Sequence, residues 1–329
     1  MNITILGAGA WGTALAIALS ERHRIALWAR APRQAAELAS ERVNRRYLPQ
    51  VCLPAAVIVT ADAAEALHDS EVVLIATPTS ALRETLTLVR EVTPLPLIIW
   101  ACKGFEPVSA RLPHQIVADE MDASVRCAAL SGPSFALEVA QGRPTAITLA
   151  ACDERVAREV ARQLHQSTLR IYFSTDVIGV EIGGAVKNVM AIAAGICDGL
   201  DLGLNARAAL ITRGLAEIAR LGINLGGRPE TFMGLAGVGD LILTCTGDLS
   251  RNRRVGLLLA AGMPLDEILL QIGHVAEGVY SAQEVRRVAT EQGVEMPITQ
   301  AVCEVLFHGV SARSAVQQLL ARDPREERF

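Results

Sequence analysis

The chain has 329 residues, enough for two domains at roughly 100–200 residues each. Its 31 Lys+Arg and 35 Asp+Glu give a net charge of −4 spread along the chain, which leaves no electrostatic footprint for nucleic acid. Cys52, Cys102, Cys127, Cys152, Cys197, Cys245 and Cys303 make no Cys-x-x-Cys pair and the six histidines no ligand spacing, so reduced thiols in a cytoplasmic protein without metal are expected.

No membrane span is expected. The mean hydropathy of +0.32 comes largely from alanine, and no uninterrupted apolar run approaches the ~18 residues a span needs. The first residues, MNITILGAGAWGTALAIALSE, lack a basic n-region, which argues against a signal peptide. They read instead as a strand (Asn2–Leu6), a glycine turn and a helix. Gly7, Gly9 and Gly12 fall in G-x-G-x-x-G, with Ala10 and Trp11 between them, in the strand–turn–helix context of a dinucleotide fingerprint. Gly7 permits the tight turn, Gly9 lets the backbone approach a pyrophosphate, and Gly12 lets the helix pack close to its strand.

A second strand over 24–29 ends at Trp28-Ala29-Arg30-Ala31-Pro32-Arg33, with no acid for a ribose 2′-hydroxyl. Arg30, and after it Arg33, is the candidate for a 2′-phosphate, so NADPH is expected ahead of NADH. A charged helix is expected over 33–46, and strands over 57–60, 71–77, 97–102, 126–130, 145–150 and 172–174. The alternation with helices predicts a doubly wound, mainly parallel sheet. Lys103 follows a strand end, where an anionic ligand would sit, or is a surface lysine. Gly132 and Ser134 lie in a strand-to-helix turn that is either an anion loop or an N-cap.

Beyond residue 176 strand signals stop. Helices are expected over 178–200, 206–221, 231–245, 251–261, 265–271, 277–292, 298–307 and 312–320, so the domains divide as 1–176 and 177–329. The first of these helices is apolar on every side, yet holds Lys187 with Asn188 beside it. Taken alone, Lys187 is equally a snorkelling lysine or a catalytic ammonium. Asp240, in GLAGVGDL, is a catalytic carboxylate or a cap. Ser250-Arg251-Asn252 opens a helix suited to phosphate, or Ser250 simply caps it. Arg253 and Arg254 are expected to be solvated.

GAVKNVMA from Gly184, continuing through Gly195, Asp198-Gly199 and Gly203-Leu204-Asn205, resembles the signature of NAD(P)-dependent glycerol-3-phosphate dehydrogenases, most closely the bacterial soluble type. GAGAWG, ACKG, LSGPSFA, GLAGVGDL and TGDLSRNR follow in that family's order, and the resemblance covers about residues 2–320. It implies reversible reduction of dihydroxyacetone phosphate to sn-glycerol 3-phosphate, feeding glycerophospholipid synthesis. Lys187 is then the proton donor and acceptor. Lys103, Gly132, Ser134, Asp240, Ser250, Arg251 and Asn252 line the substrate site. Trp11, Arg30, Lys103, Ala136, Arg251, Val275 and Glu277 contact the cofactor, with Ala10 contributing only backbone. An Ala-rich helical half is compatible with a homodimer. The rivals are a related two-domain reductase of another small acid and a non-catalytic NADPH sensor; the second predicts a missing proton donor.

Arg30→Asp is expected to move the ratio of NADPH to NADH turnover toward NADH. An unchanged ratio in initial-rate assays with the two cofactors sinks the assignment of Arg30.

Overall fold

The computed structural model describes residues 1–92, 96–273, 276–323 and 326. The chain forms two units: Met1–Cys102 with Pro113–Val177, and Lys103–Leu112 with Ile178–Phe329. The excursion 103–112 thus belongs with the helical unit, although in sequence it lies inside the α/β one.

In the first unit, strands β1 (Asn2–Leu6) and β2 (Arg24–Trp28) flank helix α1 (Ala10–Leu19). Then come α2 (Pro32–Glu41), β3 (Val43–Asn44), β4 (Leu48–Cys52), β5 (Ile58–Thr60), α3 (Ala63–Leu67) and β6 (Val72–Ile75). The unit continues with α4 (Leu82–Val92), β7 (Leu97–Trp100), α5 (Pro113–Glu120), β8 (Cys127–Ser131), α6 (Ala136–Ala140), β9 (Thr145–Ala150), α7 (Glu154–Leu164) and β10 (Leu169–Ser174). The eight-stranded sheet runs β10-β9-β8-β7-β6-β1-β2-β5, parallel except between β8 and β9. β6 and β7 are buried at every position, as strands covered on both faces require. The strand order reverses between β1 and β6, where such sheets leave a crevice at their carboxyl ends.

Local chemistry sets several boundaries. Pro32 starts α2 with its fixed φ, and Asp62 and Asp153 cap α3 and α7 by accepting backbone N–H bonds. The helix expected over 33–46 stops at Glu41. Arg42 turns left-handed (φ 53°), and its guanidinium donates to the carbonyls of Pro54 and Val57, the latter at 2.9 Å. Val43 and Asn44 then pair with Cys52 and Leu48 in a two-stranded antiparallel sheet. α3 and α5 carry no expectation from sequence; α3, at five residues, is too short for a 3.6-residue period to register.

The second unit is helical: α8 (Val177–Gly199), α9 (Gly203–Asn224), α10 (Pro229–Phe232), α11 (Asp240–Thr246), α12 (Arg251–Ala260), α13 (Leu265–Ile272), α14 (Glu277–Glu291), α15 (Pro297–Phe307) and α16 (Ala312–Leu320). Its core gathers around α8, whose Val186, Val189, Met190 and Ile192 are fully buried with Ile218 of α9, Val285 of α14 and Cys303 of α15. Each such apolar side chain contributes about 1.5–3 kcal/mol of burial. By length and composition alone α8 is long and apolar enough to cross a membrane, although Glu181, Lys187, Asn188 and Asp198 interrupt its apolar run. Yet 94% of its most apolar window is buried in the protein, as befits a core helix.

The single helix expected over 231–245 is instead α10, a π-helical turn over Leu235–Gly239, and α11. Glycine permits this: a Cβ on Gly237 would sit 2.1 Å from the Phe232 carbonyl oxygen. Near the other end of the unit, Glu217 of α9 accepts from the N–H groups of Ile298 (2.7 Å) and Thr299 (3.2 Å) and so caps α15. Burial pushes its carboxyl up to about 7 against those bonds.

Candidate active site

The first unit carries the glycine turn between β1 and α1. Gly7 has φ 115°, and a Cβ there would meet the Ala76 backbone at 2.9 Å; one on Gly12 would lie 2.0 Å from the Gly7 carbonyl oxygen. Around Gly9 nothing of the protein lies within 4 Å of an added Cβ, so there the chain leaves open room. Gly9 is also the N-cap of α1 and supplies no side chain to it, leaving the first-turn N–H groups of Ala10 and Trp11 without a side-chain cap. Gln34 and Asn44 donate to the Ala8 carbonyl at 2.7 and 3.1 Å, and Asn44 also to Thr13 Oγ1 at 2.8 Å. These two amides hold the turn from behind; sequence reading passes over both because they lie 26 and 36 residues away. The turn therefore fits a dinucleotide pyrophosphate: two glycines jammed for shape and one left open for approach.

Arg30 is exposed just past β2, while Arg33 is in an exposed pair with Glu37 at 2.8 Å. In the β8–α6 turn, Gly132 has φ 140° and packs against Ile147, and the Ser134 hydroxyl donates to the Gly132 carbonyl at 3.0 Å. Ala136 begins α6.

The second unit carries the charged cluster. Lys187 lies at the middle of α8 and is 8% exposed, so its ammonium does not snorkel. It donates to Asp240 Oδ1, and Lys103 donates to Asp240 Oδ2 at 2.7 Å. Asp240 itself is completely buried. The π turn delivers it: a Cβ on Gly183 of α8 would sit 2.3 Å from the Ala236 carbonyl oxygen, so turn and helix touch backbone to backbone. One turn after Asp240, Thr244 donates to the Asp240 carbonyl at 2.6 Å and lies 3.4 Å from its Oδ1. Sequence reading missed Thr244, although its i,i+4 spacing on an apolar helix was a usable signal.

Burial pulls Lys187 down to about 8. Asp240 opposes that shift and the Lys103 charge adds to it. Burial alone would raise Asp240, but the two ammonium groups outweigh it and hold the carboxyl below its ordinary range. The result is a buried, hydrogen-bonded cation with a proton exchangeable near neutral pH.

Beside this cluster, Asn252 donates to Asn188 Oδ1 at 3.0 Å and accepts from the Gly278 N–H at 3.1 Å. Both ends of its amide thus tie α12 to α8 and α14. Ser250 caps α12 by accepting from the Arg253 N–H at 3.2 Å, and Arg251 is exposed in the first turn. Glu277 opens α14 half-buried, and Val275 lies outside the described residues. Arg253 corrects the expectation of a solvated arginine: its side chain is 14% exposed and paired with Asp198 and Asp248, whereas Arg254 is exposed. Among the described residues no group of three or more His, Cys, Asp and Glu side chains could hold a metal ion.

The family models that match cover most of the chain. The model for the NAD-dependent glycerol-3-phosphate dehydrogenase N-terminus matches residues 2–157, and that for the C-terminus matches residues 176–317. A glycerol-3-phosphate dehydrogenase, NAD(P)+, from Nitrosospira multiformis is 58% identical over 331 residues and covers 99% of both chains. One from Thiobacillus denitrificans is 57% identical over 327 residues, 99% of this chain and 100% of the relative. The crystal structure of a glycerol-3-phosphate dehydrogenase from Coxiella burnetii superposes with a TM-score of 0.93 at 43% identity, covering 98% of this chain and 99% of that one.

Asp240→Asn keeps the shape of the cluster and removes its counter-charge. With burial and Lys103 no longer opposed, Lys187 is expected to titrate clearly below about 8. NMR of ¹³C-methylated lysines reads the midpoint, and a midpoint equal to that of the unaltered protein contradicts the pairing.

Proposed function

The chain belongs to the NAD-dependent glycerol-3-phosphate dehydrogenase family, and from that footing we propose that it interconverts dihydroxyacetone phosphate and sn-glycerol 3-phosphate with Lys187 handling the proton. It is an NAD(P)-dependent oxidoreductase. In the proposed division of labour the α/β half (1–176) takes most of the cofactor and the helical half (177–329) most of the substrate, with Lys103, inside the first half by sequence, belonging to the helical unit. The observation that carries the reading is a buried ammonium, Lys187, kept charged by a buried carboxylate, Asp240.

Gly7, Gly9, Ala10, Trp11 and Gly12 would hold the pyrophosphate, and Arg30 a 2′-phosphate, which favours NADPH while leaving NADH usable. The family resemblance adds Lys103, Ala136, Arg251, Val275 and Glu277 to the cofactor contacts. When bound, the reduced nicotinamide supplies a hydride to the C2 carbonyl carbon. As that carbon is reduced, negative charge gathers on the carbonyl oxygen. The Lys187 ammonium opposes it in a medium that screens little, then gives the oxygen its proton. In the reverse direction the neutral amine takes the proton back. Asp240 keeps Lys187 protonated and aimed, and Lys103 shares that carboxylate. Ser250, Arg251 and Asn252, at the start of α12, and Gly132 and Ser134 receive the rest of the substrate. Its phosphate supplies orientation remote from the reacting carbon.

The reading extends to a cytoplasmic enzyme supplying the backbone of glycerophospholipids. The odd number and scattered spacing of the seven cysteines support a reducing compartment. It also includes a homodimer, which rests on the Ala-rich helical half read from the sequence; a sedimentation mass of one chain rules that out.

Lys187→Met is expected to lower kcat for dihydroxyacetone phosphate reduction by about 10²–10⁴-fold while NADPH binding, read by fluorescence titration, stays within a few-fold. Near-normal kcat in a folded variant removes Lys187 from the chemistry.

A further inference from the structure

Arg253 and Asp198 have no part in the scheme above, yet the structure invests heavily in them. α12 lies against α8 in backbone contact. A Cβ on Gly195 would sit 2.0 Å from the Arg253 carbonyl oxygen, and one on Gly256 would sit 2.0 Å from that of Ile192. At Gly199 the added atom would come within 2.6 Å of Ala260 Cβ. Such a seam brings two helices close over small residues, and in the first turn of α12 the Asn252–Asn188 amide bond is one side-chain tie across it. Ridges packed into grooves normally fix the rotation of one helix about the other.

A charged lock adds a second, directional tie. Arg253 Nε and Nη2 each reach Asp198 Oδ2 at 2.8 Å, and Nη1 reaches Asp248 Oδ1 at 3.0 Å. Arg207 Nη1 holds the same Asp198 carboxylate at 3.3 Å to both oxygens. The Arg253 and Asp198 side chains are each 14% exposed, so little solvent screens the pair. A planar fork of this kind fixes direction as well as distance. Asp198 follows Lys187 by about three turns of the same helix and so lies on the same face of α8. Arg253 stands in the first turn of α12, directly after Arg251 and Asn252.

We propose that Arg253 and Asp198 are a positioning pair that fixes the rotation of the first turn of α12 on α8, and thereby where Arg251 stands relative to Lys187. The inference rests on the reading that this turn receives the substrate phosphate. The pair then sets the span between the group that holds the phosphate and the group that meets the carbonyl. Misplacing a substrate handle by about 1 Å costs on the order of 10²-fold in rate.

The test compares dihydroxyacetone phosphate with unphosphorylated dihydroxyacetone as substrates for Arg253→Ala, Asp198→Asn, the double variant and Arg251→Ala. Arg253→Ala is expected to lower kcat/KM for the phosphorylated substrate by at least about ten-fold and to leave that for dihydroxyacetone within about two-fold. Asp198→Asn should act the same way, and stands in if Arg253→Ala does not fold. The double variant should lose less than the product of the two single losses, since both changes remove the shared Arg253–Asp198 contact while the Arg207 and Asp248 bonds are each lost in only one of them. Equal losses on both substrates, or losses that multiply in the double variant, overturn the positioning role. Arg251→Ala separates the two layers. If it is selective for the phosphorylated substrate and Arg253→Ala is not, the positioning pair fails alone. If Arg251→Ala hits both substrates equally, the phosphate reading beneath it fails.

Discussion

The second unit depends on one electrostatic arrangement: a lysine ammonium held inside an apolar helical core by a carboxylate that is itself fully buried. Neither charge survives there alone. Desolvation drives Lys187 toward the neutral amine and Asp240 toward the neutral acid. Together, with Lys103 on the other carboxylate oxygen, they stay ionised. Truncating either partner of a buried pair costs about 3–5 kcal/mol, because it strands a charge. The compensating return lies in the proposed reaction, where one unscreened positive charge has its greatest effect on a developing alkoxide.

Backbone chemistry makes the arrangement possible. Asp240 comes directly after a π-helical turn that touches α8 at Gly183. π-helical turns recur at functional sites, since the inserted residue rotates the next helical turn about its axis. Here that rotation aims a carboxylate into the side of the helix carrying Lys187. The same helix meets α12 through Gly195, Gly199 and Gly256, so α8 is a core element and a platform at once. That double duty explains why a helix apolar enough for a bilayer is instead enclosed by α9, α14 and α15.

The legibility of the sequence tracks the range of the physics. The doubly wound sheet and the helical second half can be read because strand and helix periods are local, and the G-x-G-x-x-G turn because its three glycines answer three short-range constraints. Lys187 attracts notice because a cation on an all-apolar helix violates a local rule. Its pairing with Asp240, 53 residues later, has no local signature, nor does the return of residues 103–112 to the helical unit. Arg253 reads as a surface arginine because its partner, Asp198, lies 55 residues upstream. The end of α2 is misread for a different reason: Arg42 takes a left-handed conformation that its side-chain bonds to Pro54 and Val57 hold in place, and no turn residue announces it. The break within 231–245 is announced by Gly234, Gly237 and Gly239, but a hydrophobic period of 3.6 runs through them and hides it.

The most direct test of the account is the pH dependence of kcat in both directions with saturating NADPH or NADP. Burial lowers Lys187 to about 8, so the ammonium is present below that pH and lost as pH rises through it. Reduction of dihydroxyacetone phosphate, which needs the proton on Lys187, should fall by about ten-fold per pH unit above the midpoint, and oxidation of glycerol 3-phosphate, which needs the neutral amine, should rise through the same midpoint. A kcat for reduction that stays flat from about pH 7 to about pH 10 would contradict the claim that a buried, Asp240-held ammonium supplies the proton.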